Sequence, residues 1–481
     1  MKKIMLAVSV LISSVWMLSC SEDFTLLAPQ SDRNVENFYK NAKDFEVAVN
    51  GIYDALQSGG TYGNTVAIAT GGTGGYWMLT EMRSDNTDQG GDVTGLAAQV
   101  AVINQFAEDA LNEFVLGAWV GSYAGIARAN IVLTRIVDVD MDQSLKDRYT
   151  GEALFLRSLF YYNLALLFGN IPMPLTETVS ISDQLEQVPA ATVFNQLIAD
   201  LKEAQAKLPD VHTSAVGGKA TRGAAQTLLA RVYLTVGDKA SAETVLRDII
   251  SSGLYQLVPN YEDLWGPENE NNIESIFEVQ FKAGGFGEGS GYANSFSPSS
   301  DLVGGGPTGG RNRPTLDMIA AYETNDLRFL ASMDTSYVDL SGTTNSARYV
   351  KKYLSVPFGD NDADNNFIVF RYADVLLMLA EAIGEGAEAY GLINQLRSRA
   401  GLADIDASTP GTFEDKLLHE RRVELAFENH RWYDLLRFGK ALEVMQAHMA
   451  AEGFPQPGVN DLLFPIPQRE VDLGLQQNPG Y

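Results

Sequence analysis

Apolar side chains recur every three or four residues along much of this chain. Between residues 36 and 57, Phe38, Phe45, Val49, Ile52, Tyr53 and Leu56 fall on one face, which predicts a helix that Gly59 and Gly60 end. The same period runs through 108–137 and again from Asp142 to Phe168, where Gly169 and the prolines at 172 and 174 stop it. Two more helices are predicted over 190–208 and 219–236. Gly237 and Asp238 then turn the chain into a partner helix over 239–252. Helix pairs are also expected from 108–136 with 143–168, from 371–384 with 387–400, and from 412–436 with 439–450. Ala220, Ala224, Ala225 and Ala230 supply small faces for close packing, as in tetratricopeptide-like pairs.

Two stretches break the period. Residues 58–95 are rich in Gly, Thr, Asn and Asp, with Tyr76 and Trp77 embedded, and read as a long loop. From about 255 to 370, runs such as GGFGEGSGYANSFSPSS and GGGPTGGRNRP predict a large irregular region with short strands at 274–281 and 348–354. The segment 462–481 carries Pro465, Pro467 and Pro479 and is expected to wrap the surface in extended form. The predicted fold class is therefore mostly α. Helix pairs form a scaffold over 36–254 and 371–481, and an irregular loop-rich binding region fills 255–370.

The N-terminus adds an address. Lys2 and Lys3 precede an apolar run from Ile4 to Leu18, too short to span a bilayer comfortably, so residues 1–19 read as a secretory signal. The single cysteine, Cys20, follows directly. Its place resembles a bacterial lipobox, with Met17 where such motifs usually carry Leu. Cys20 would then be the lipidated first residue of the mature chain, and 20–35 a tether. An ordinary signal with an incidental cysteine is the alternative. Cleavage removes Lys2 and Lys3 and takes the net charge of −26 to −28. That charge argues against nucleic acid as a partner and against a basic helix lying on an anionic membrane. One cysteine and four histidines leave little for a Cys/His zinc site.

Several stretches together resemble the SusD/RagB family of outer-membrane nutrient-binding lipoproteins of the Bacteroidetes. They are EALFLRSLFYYNLALLFGNIPMPL at 152–175, TRGAAQTLLARVYLTVGDKASAETVLRDII at 221–250 and FIVFRYADVLLMLAEAI at 367–383 with INQLRSRAGL at 393–402. HERRVELAFENHRWYDLLRFGKAL at 419–442 and LLFPIPQREVDLGLQQNPGY at 462–481 complete the set. Ser21, Glu22 and Asp23 resemble the surface-export signal of such lipoproteins. The resemblance implies a lipid-anchored protein at the outer membrane, facing the cell exterior. It would capture a nutrient, usually a glycan or oligosaccharide, and pass it to a TonB-dependent β-barrel transporter of the SusC type. No reaction and no cofactor are implied.

Sugars are held by aromatic faces together with carboxylates, amides and arginines. Aromatics inside polar loops are accordingly the candidates. Tyr76, Trp77, Arg83, Asp85, Asn86 and Asp88 form a first set. The alternative for it is that Trp77 and Met78 anchor the loop, with Glu81 and Arg83 as a structural pair. Trp265, Tyr292 and Phe296, near Phe286, form a second set, either a platform or loop anchors. Arg311 and Arg313 are a third, suited to an acidic sugar or to salt bridges. The charges of Glu420, Arg421, Arg422 and Glu424, of Glu152 with Arg157, and of Arg371, Asp374 and Glu381, read as buried or half-buried ion pairs that fix helix packing.

Other motifs fail. GGGPTGG lacks the ending of a phosphate loop. Asp360, Asp362 and Asp364 have EF-hand spacing, but Asn365 replaces the turn glycine and Arg371 stands at the closing position. Only an incidental surface calcium stays open there. Two other functions compete: a secreted glycoside hydrolase using Glu81 with Asp85, or Asp85 with Asp88, as its carboxylate pair, and a helical-repeat protein-binding module.

Overall fold

The computed structural model describes residues 38–63, 75–90, 96–178, 186–212, 217–304 and 306–481. The expected signal, Cys20 and the tether lie outside the described residues. Among the described residues, eleven helices build the scaffold. They are α1 (Ala42–Asp54), α2 (Glu113–Arg135), α3 (Gln143–Phe168), α4 (Ala190–Lys207), α5 (Arg222–Thr235), α6 (Lys239–Ser251), α7 (Tyr372–Ile383), α8 (Ala387–Arg399), α9 (Phe413–Glu424), α10 (Arg431–Arg437) and α11 (Ala441–Glu452). Their starts follow from capping chemistry. Asn41, Asn112, Asp142, Thr221 and Asp238 each accept backbone N–H bonds at a helix N-terminus, and Thr412 with Asp415 closes a capping box on α9.

Each helix from α1 to α8 packs on the next, so the stack is continuous, and α7 also meets α9. The small alanines 220, 224, 225 and 230 are fully buried, and the helices close over them. The short strands of the described residues pair two by two. β1 (Thr87–Asp88) meets β5 (Arg313–Pro314), β2 (Ile171–Pro172) meets β3 (Gln187–Val188), β4 (Ser275–Val279) meets β8 (Phe367–Arg371), and β6 (Met333–Val338) meets β7 (Thr344–Val350), all antiparallel. The helical scaffold with an irregular, strand-containing region is thus the architecture the sequence predicts.

Three details differ. The helix expected over 412–436 is broken after Glu424, because Phe427 and Asn429 take left-handed backbone conformations, with φ of 67° and 66°. The described part of 58–95 is not a solvent loop. Its residues 75–87 are buried and include a helical turn at Trp77–Thr80. The C-terminal segment is extended, as expected, except for a helical turn at Gln468–Asp472.

Helix α9 explains why the scaffold and the irregular region form one body. Its Glu420, Arg421 and Glu424 are buried, and each must be paired to tolerate the loss of water. Glu424 accepts from Arg371 of β8 at 2.5 Å, from Arg328 at 3.0 Å, and from Arg399 of α8. Glu428 accepts from Arg371 and from Lys352, both at 2.7 Å. Glu274, just before β4, binds Arg371 at 2.8 Å and Arg399 at 2.6 Å. A second cluster joins Arg421 to Asp374 and Asp434, both at 2.8 Å, Arg231 to Asp374 at 2.5 Å, and Arg437 to Glu381 at 2.8 Å. The charges expected to be buried in ion pairs are so paired, but not always with the expected partner: Glu152 does not pair with Arg157, which binds Asp200 of α4 at 2.6 Å, and Glu152 faces Arg148 of its own helix at 3.3 Å.

Burial alone would raise the carboxyl of Glu424, but Arg399, Arg371 and Arg328 hold it well below the carboxylate range. Asp374 is lowered likewise by Arg231 and Arg421, and Asp434 comes down to about 2 beside Arg421 and Arg437. A carboxyl whose folded pKa is depressed contributes stability that is present above its unfolded value, about 4, and is lost as pH falls toward the folded value. The unfolding midpoint is therefore expected to decline as pH drops below about 4. Glu424→Gln leaves three guanidinium groups without their shared counter-charge and is expected to lose about 3–5 kcal/mol at neutral pH. Denaturant unfolding followed by circular dichroism measures both effects, and a Gln variant as stable as the wild type would contradict the account.

Candidate functional site

The aromatics singled out in the first loop are structural. Tyr76 and Trp77 are each 1 % exposed. The Tyr76 hydroxyl bonds Ser122 at 2.7 Å, its ring meets Tyr62 edge-on, and Trp77 meets Phe296 edge-on at 5.1 Å. Burial raises the Tyr76 phenol well above its usual range. Arg83 lies between the Phe106 and Phe464 rings and donates to Glu108 at 2.6 Å. It does not pair with Glu81. Asp85 accepts from Arg431 by two bonds of 2.8 Å and meets Arg422 at 3.0 Å. Burial would raise its carboxyl, and these two arginines hold it well below the usual range. Asn86 donates to Glu81 at 2.7 Å and accepts from Arg422.

Glu81 itself is buried and accepts the Phe427 and Asn429 backbone N–H groups at 2.9 and 3.1 Å. Burial pushes its carboxyl up to about 7 against those donors. Asp88 is taken by Arg313 of β5 at 2.9 Å. The two carboxylate pairs considered for hydrolysis are therefore committed to holding the fold, and Glu81 and Asp85 are closed off from solvent.

In the second set, Tyr292 and Phe296 are also buried, at 0 and 1 % exposure. Tyr292 stacks on Phe367 at 5.3 Å and donates to the Tyr62 carbonyl at 2.5 Å. Trp265 is half-buried. The Lys352 ammonium sits 4.3 Å over its ring, and Tyr261 and Tyr353 meet it edge-on, so it is packed as a loop anchor. Arg311 and Arg313 are half-buried on the segment that leads into β5. For the aromatics the physical reason is common. An aromatic ring in a glycine-rich stretch is often the only large apolar group available to fix that stretch to the core.

Among the aromatic rings described in the irregular region, the exposed ones are a pair of phenylalanines. Phe286 and Phe358 are 74 and 71 % exposed. They belong to two turns locked together by the aspartates of the rejected EF-hand run. Asp362 accepts the Gly284 and Gly285 N–H groups at 3.2 and 2.7 Å through Oδ2, and its carbonyl accepts the Phe358 N–H at 2.7 Å. Asp364 accepts the Ala283 N–H at 3.0 Å and the Lys282 ammonium at 2.8 Å. Ser290 and Ala363 exchange backbone bonds at 2.8 and 2.9 Å, and Lys282 N–H donates to the Glu288 carbonyl at 2.7 Å to close the first turn.

Gly284 and Gly285 have φ of 133° and 75°, and their bare Cα atoms let the rings lie close. A Cβ on Gly284 would meet Phe286 at 2.5 Å, and one on Gly285 would lie 3.6 Å from Phe358. Two exposed rings thus flank two consecutive glycines on pinned backbone. Exposed Asp360 and Glu288 and half-exposed Asn361 stand around them.

Phe286 was visible in the sequence as a loop aromatic, but nothing local distinguishes it from Tyr292. Phe358 had no signal of its own beyond its neighbours Gly359 and Asp360. Among the described residues no group of three His, Cys, Asp or Glu is placed to hold a metal ion, and no helix is long and apolar enough to cross a membrane. The calcium left open at 359–367 gains nothing from the geometry, since Asp364 is bonded to Lys282.

Residues 332–481 match the SusD family, and residues 65–234 match a family described as starch-binding associating with outer membrane. The chain is 28 % identical to the SusD-like protein P2 of Formosa agariphila, over 95 % of both chains. Among solved structures, a laminarin binding SusD-like protein is 29 % identical, with a TM-score of 0.80 over 92 % of this chain and 100 % of that one. The surface glycan-binding protein A from Bacteroides fluxus is 26 % identical, with a TM-score of 0.78 and the same coverage.

Because Trp77 fills the core and Phe286 and Phe358 do not, truncation separates the two classes. Trp77→Ala is expected to cost about 3–5 kcal/mol of stability. Phe286→Ala and Phe358→Ala are each expected to stay within about 0.5 kcal/mol of the wild type. Thermal unfolding of the three variants side by side checks this.

Proposed function

The chain belongs to the SusD/RagB family, and on that premise we propose that it binds a glycan on the cell surface through the Phe286–Phe358 platform. It delivers the glycan to a TonB-dependent outer-membrane transporter of the SusC type. The observation that carries the reading is the exposed ring pair on pinned turns. A pyranose presents a flat apolar C–H face, and rigid exposed rings receive it with little ordering cost. Asp360, Asn361 and Glu288 supply hydrogen-bonding groups for the hydroxyls at the rim. The likeness to a laminarin binding protein makes laminarin the first ligand to test. Arg311 and Arg313 remain secondary candidates, on the segment that leads into β5.

The protein is not an enzyme on this reading. It acts by capture and release, and the carboxylates that a hydrolase would need are tied into ion pairs and helix-end contacts. A helical-repeat protein-binding module is the weaker alternative, because it gives no role to two exposed rings on pinned turns. Cys20 carries the lipid that keeps the chain at the outer membrane.

Titration calorimetry with laminarin, within a panel of other polysaccharides, tests the reading. The Phe286→Ala/Phe358→Ala double variant is expected to bind the recognised glycan at least about tenfold more weakly, the loss of roughly 1.4 kcal/mol that two stacking faces readily account for. Unchanged binding would remove the platform from the site. No reducing sugar should be released in the same mixtures. Separately, Cys20→Ser is expected to abolish incorporation of labelled palmitate in cells and to release the protein from the membrane fraction.

A further inference from the structure

A second concave site lies beside the platform. A cleft of about 620 Å³ opens between α1, α3, the segment 217–219 and the end of β4, a size that suits one to three sugar units. Two glycines line it without a backbone reason. Gly51 sits inside α1, where glycine costs about 1 kcal/mol relative to alanine. A Cβ there, or on Gly217, would meet nothing within 4 Å, and neither residue has a positive φ. Packing does not require these glycines, and the missing side chains leave the cleft open.

The buried and half-buried charges of the cleft are engaged with neighbours, while Glu46 and Glu288 on its lining are exposed. Glu152 of α3, 1 % exposed, faces the Arg148 Nε at 3.3 Å. The Lys219 ammonium lies 3.9 Å over the Tyr53 ring and is bonded to Asn50. A charged group binding at these engaged residues would have to displace a neighbour and leave it half-desolvated. A hydroxyl both donates and accepts, so it can bridge a carboxylate and a neighbouring cation while both keep their charges balanced. Val49, Leu56 and Val279 supply apolar wall.

The cleft also touches the platform. Glu288 lines it, and the Glu288 carbonyl closes the turn that carries Phe286 two residues earlier. The backbone separation is at most about 7 Å.

We infer that this cleft is a second sugar-binding site, taking one to three uncharged residues of a glycan whose neighbouring part lies on the phenylalanine platform. It rests on the reading that a glycan is the ligand. Saturation-transfer NMR tests it on the Phe286→Ala/Phe358→Ala protein, where the platform is absent. The probes are glucose, galactose, mannose and laminaribiose at millimolar concentration. At least one of the four is expected to receive saturation. Adding Gly51→Trp, which fills the cleft from α1, should weaken that sugar at least tenfold, and Gly217→Trp should do the same from a different wall. Thermal unfolding confirms that each variant folds.

The proposal is overturned if none of the four sugars receives saturation, or if the signal survives both fillings. Either result would leave the platform standing, because the platform is judged separately by polysaccharide binding to the wild type and to the double variant.

Discussion

One carboxylate, Glu424, organises the molecule. It is buried at the C-terminal end of α9 and shared by three guanidinium groups, Arg328, Arg371 and Arg399. A lone buried charge would be intolerable, and each of these arginines needs Glu424 beside its other carboxylates, Asp326 and Glu420 for Arg328, Glu274 and Glu428 for Arg371, and Glu274 for Arg399. Arg328 comes from the irregular region, Arg371 from the strand that leads into α7, and Arg399 from α8. The pairing can therefore be completed only when all of these segments have arrived. Glu274 and Glu428 extend the same network to β4 and to Lys352. A stretch that the composition suggests is loose is thus anchored to the helical stack at several charged points.

That anchoring is what gives the surface loops a function. The turns bearing Phe286 and Phe358 are short, and Asp362 and Asp364 pin their amides. Rings held in this way lose little freedom on binding, so most of the contact energy appears as affinity. The buried aromatics do the complementary work. Tyr292, Tyr353 and Phe367 form a stacked group beneath the loops, with ring centroids 5.1 to 5.5 Å apart. Tyr292, which reads as a ligand contact in the sequence, belongs instead to this buried group.

The scaffold was legible because its signals are local. A helix that begins at Asp142 and ends at Gly169 announces both ends within its own sequence, and the alanines of α5 mark a close-packed face. The break between α9 and α10 was not legible. Leu425, Ala426, Phe427 and Glu428 are ordinary helix residues, and the amides freed at Phe427 and Asn429 are accepted by Glu81, more than three hundred positions away. The partners of the buried charges were hidden in the same way. Arg431 and Asp434 share a helix face, yet one answers Asp85 and the other Arg421 and Arg437. For the site, Phe286 and Tyr292 sit six residues apart in the same glycine-rich stretch. Tyr292 turns inward onto partners far away in sequence, stacking on Phe367, packing against Tyr353 and donating to the Tyr62 carbonyl.

A protein that captures a ligand in order to pass it on must not hold it too tightly. An open pair of rings is suited to that requirement, since each stacked sugar is solvated on its outer face and leaves readily. The difficulty is then retention of a polymer long enough for transfer. Two modest sites on one rigid body resolve it. A chain that spans the platform and the adjoining cleft gains from the high effective concentration of the second contact once the first is made. A short fragment reaches only one of them and departs. The rigidity imposed by Glu424 and its arginines keeps that spacing constant, so discrimination by ligand length follows from the same buried charges that close the fold.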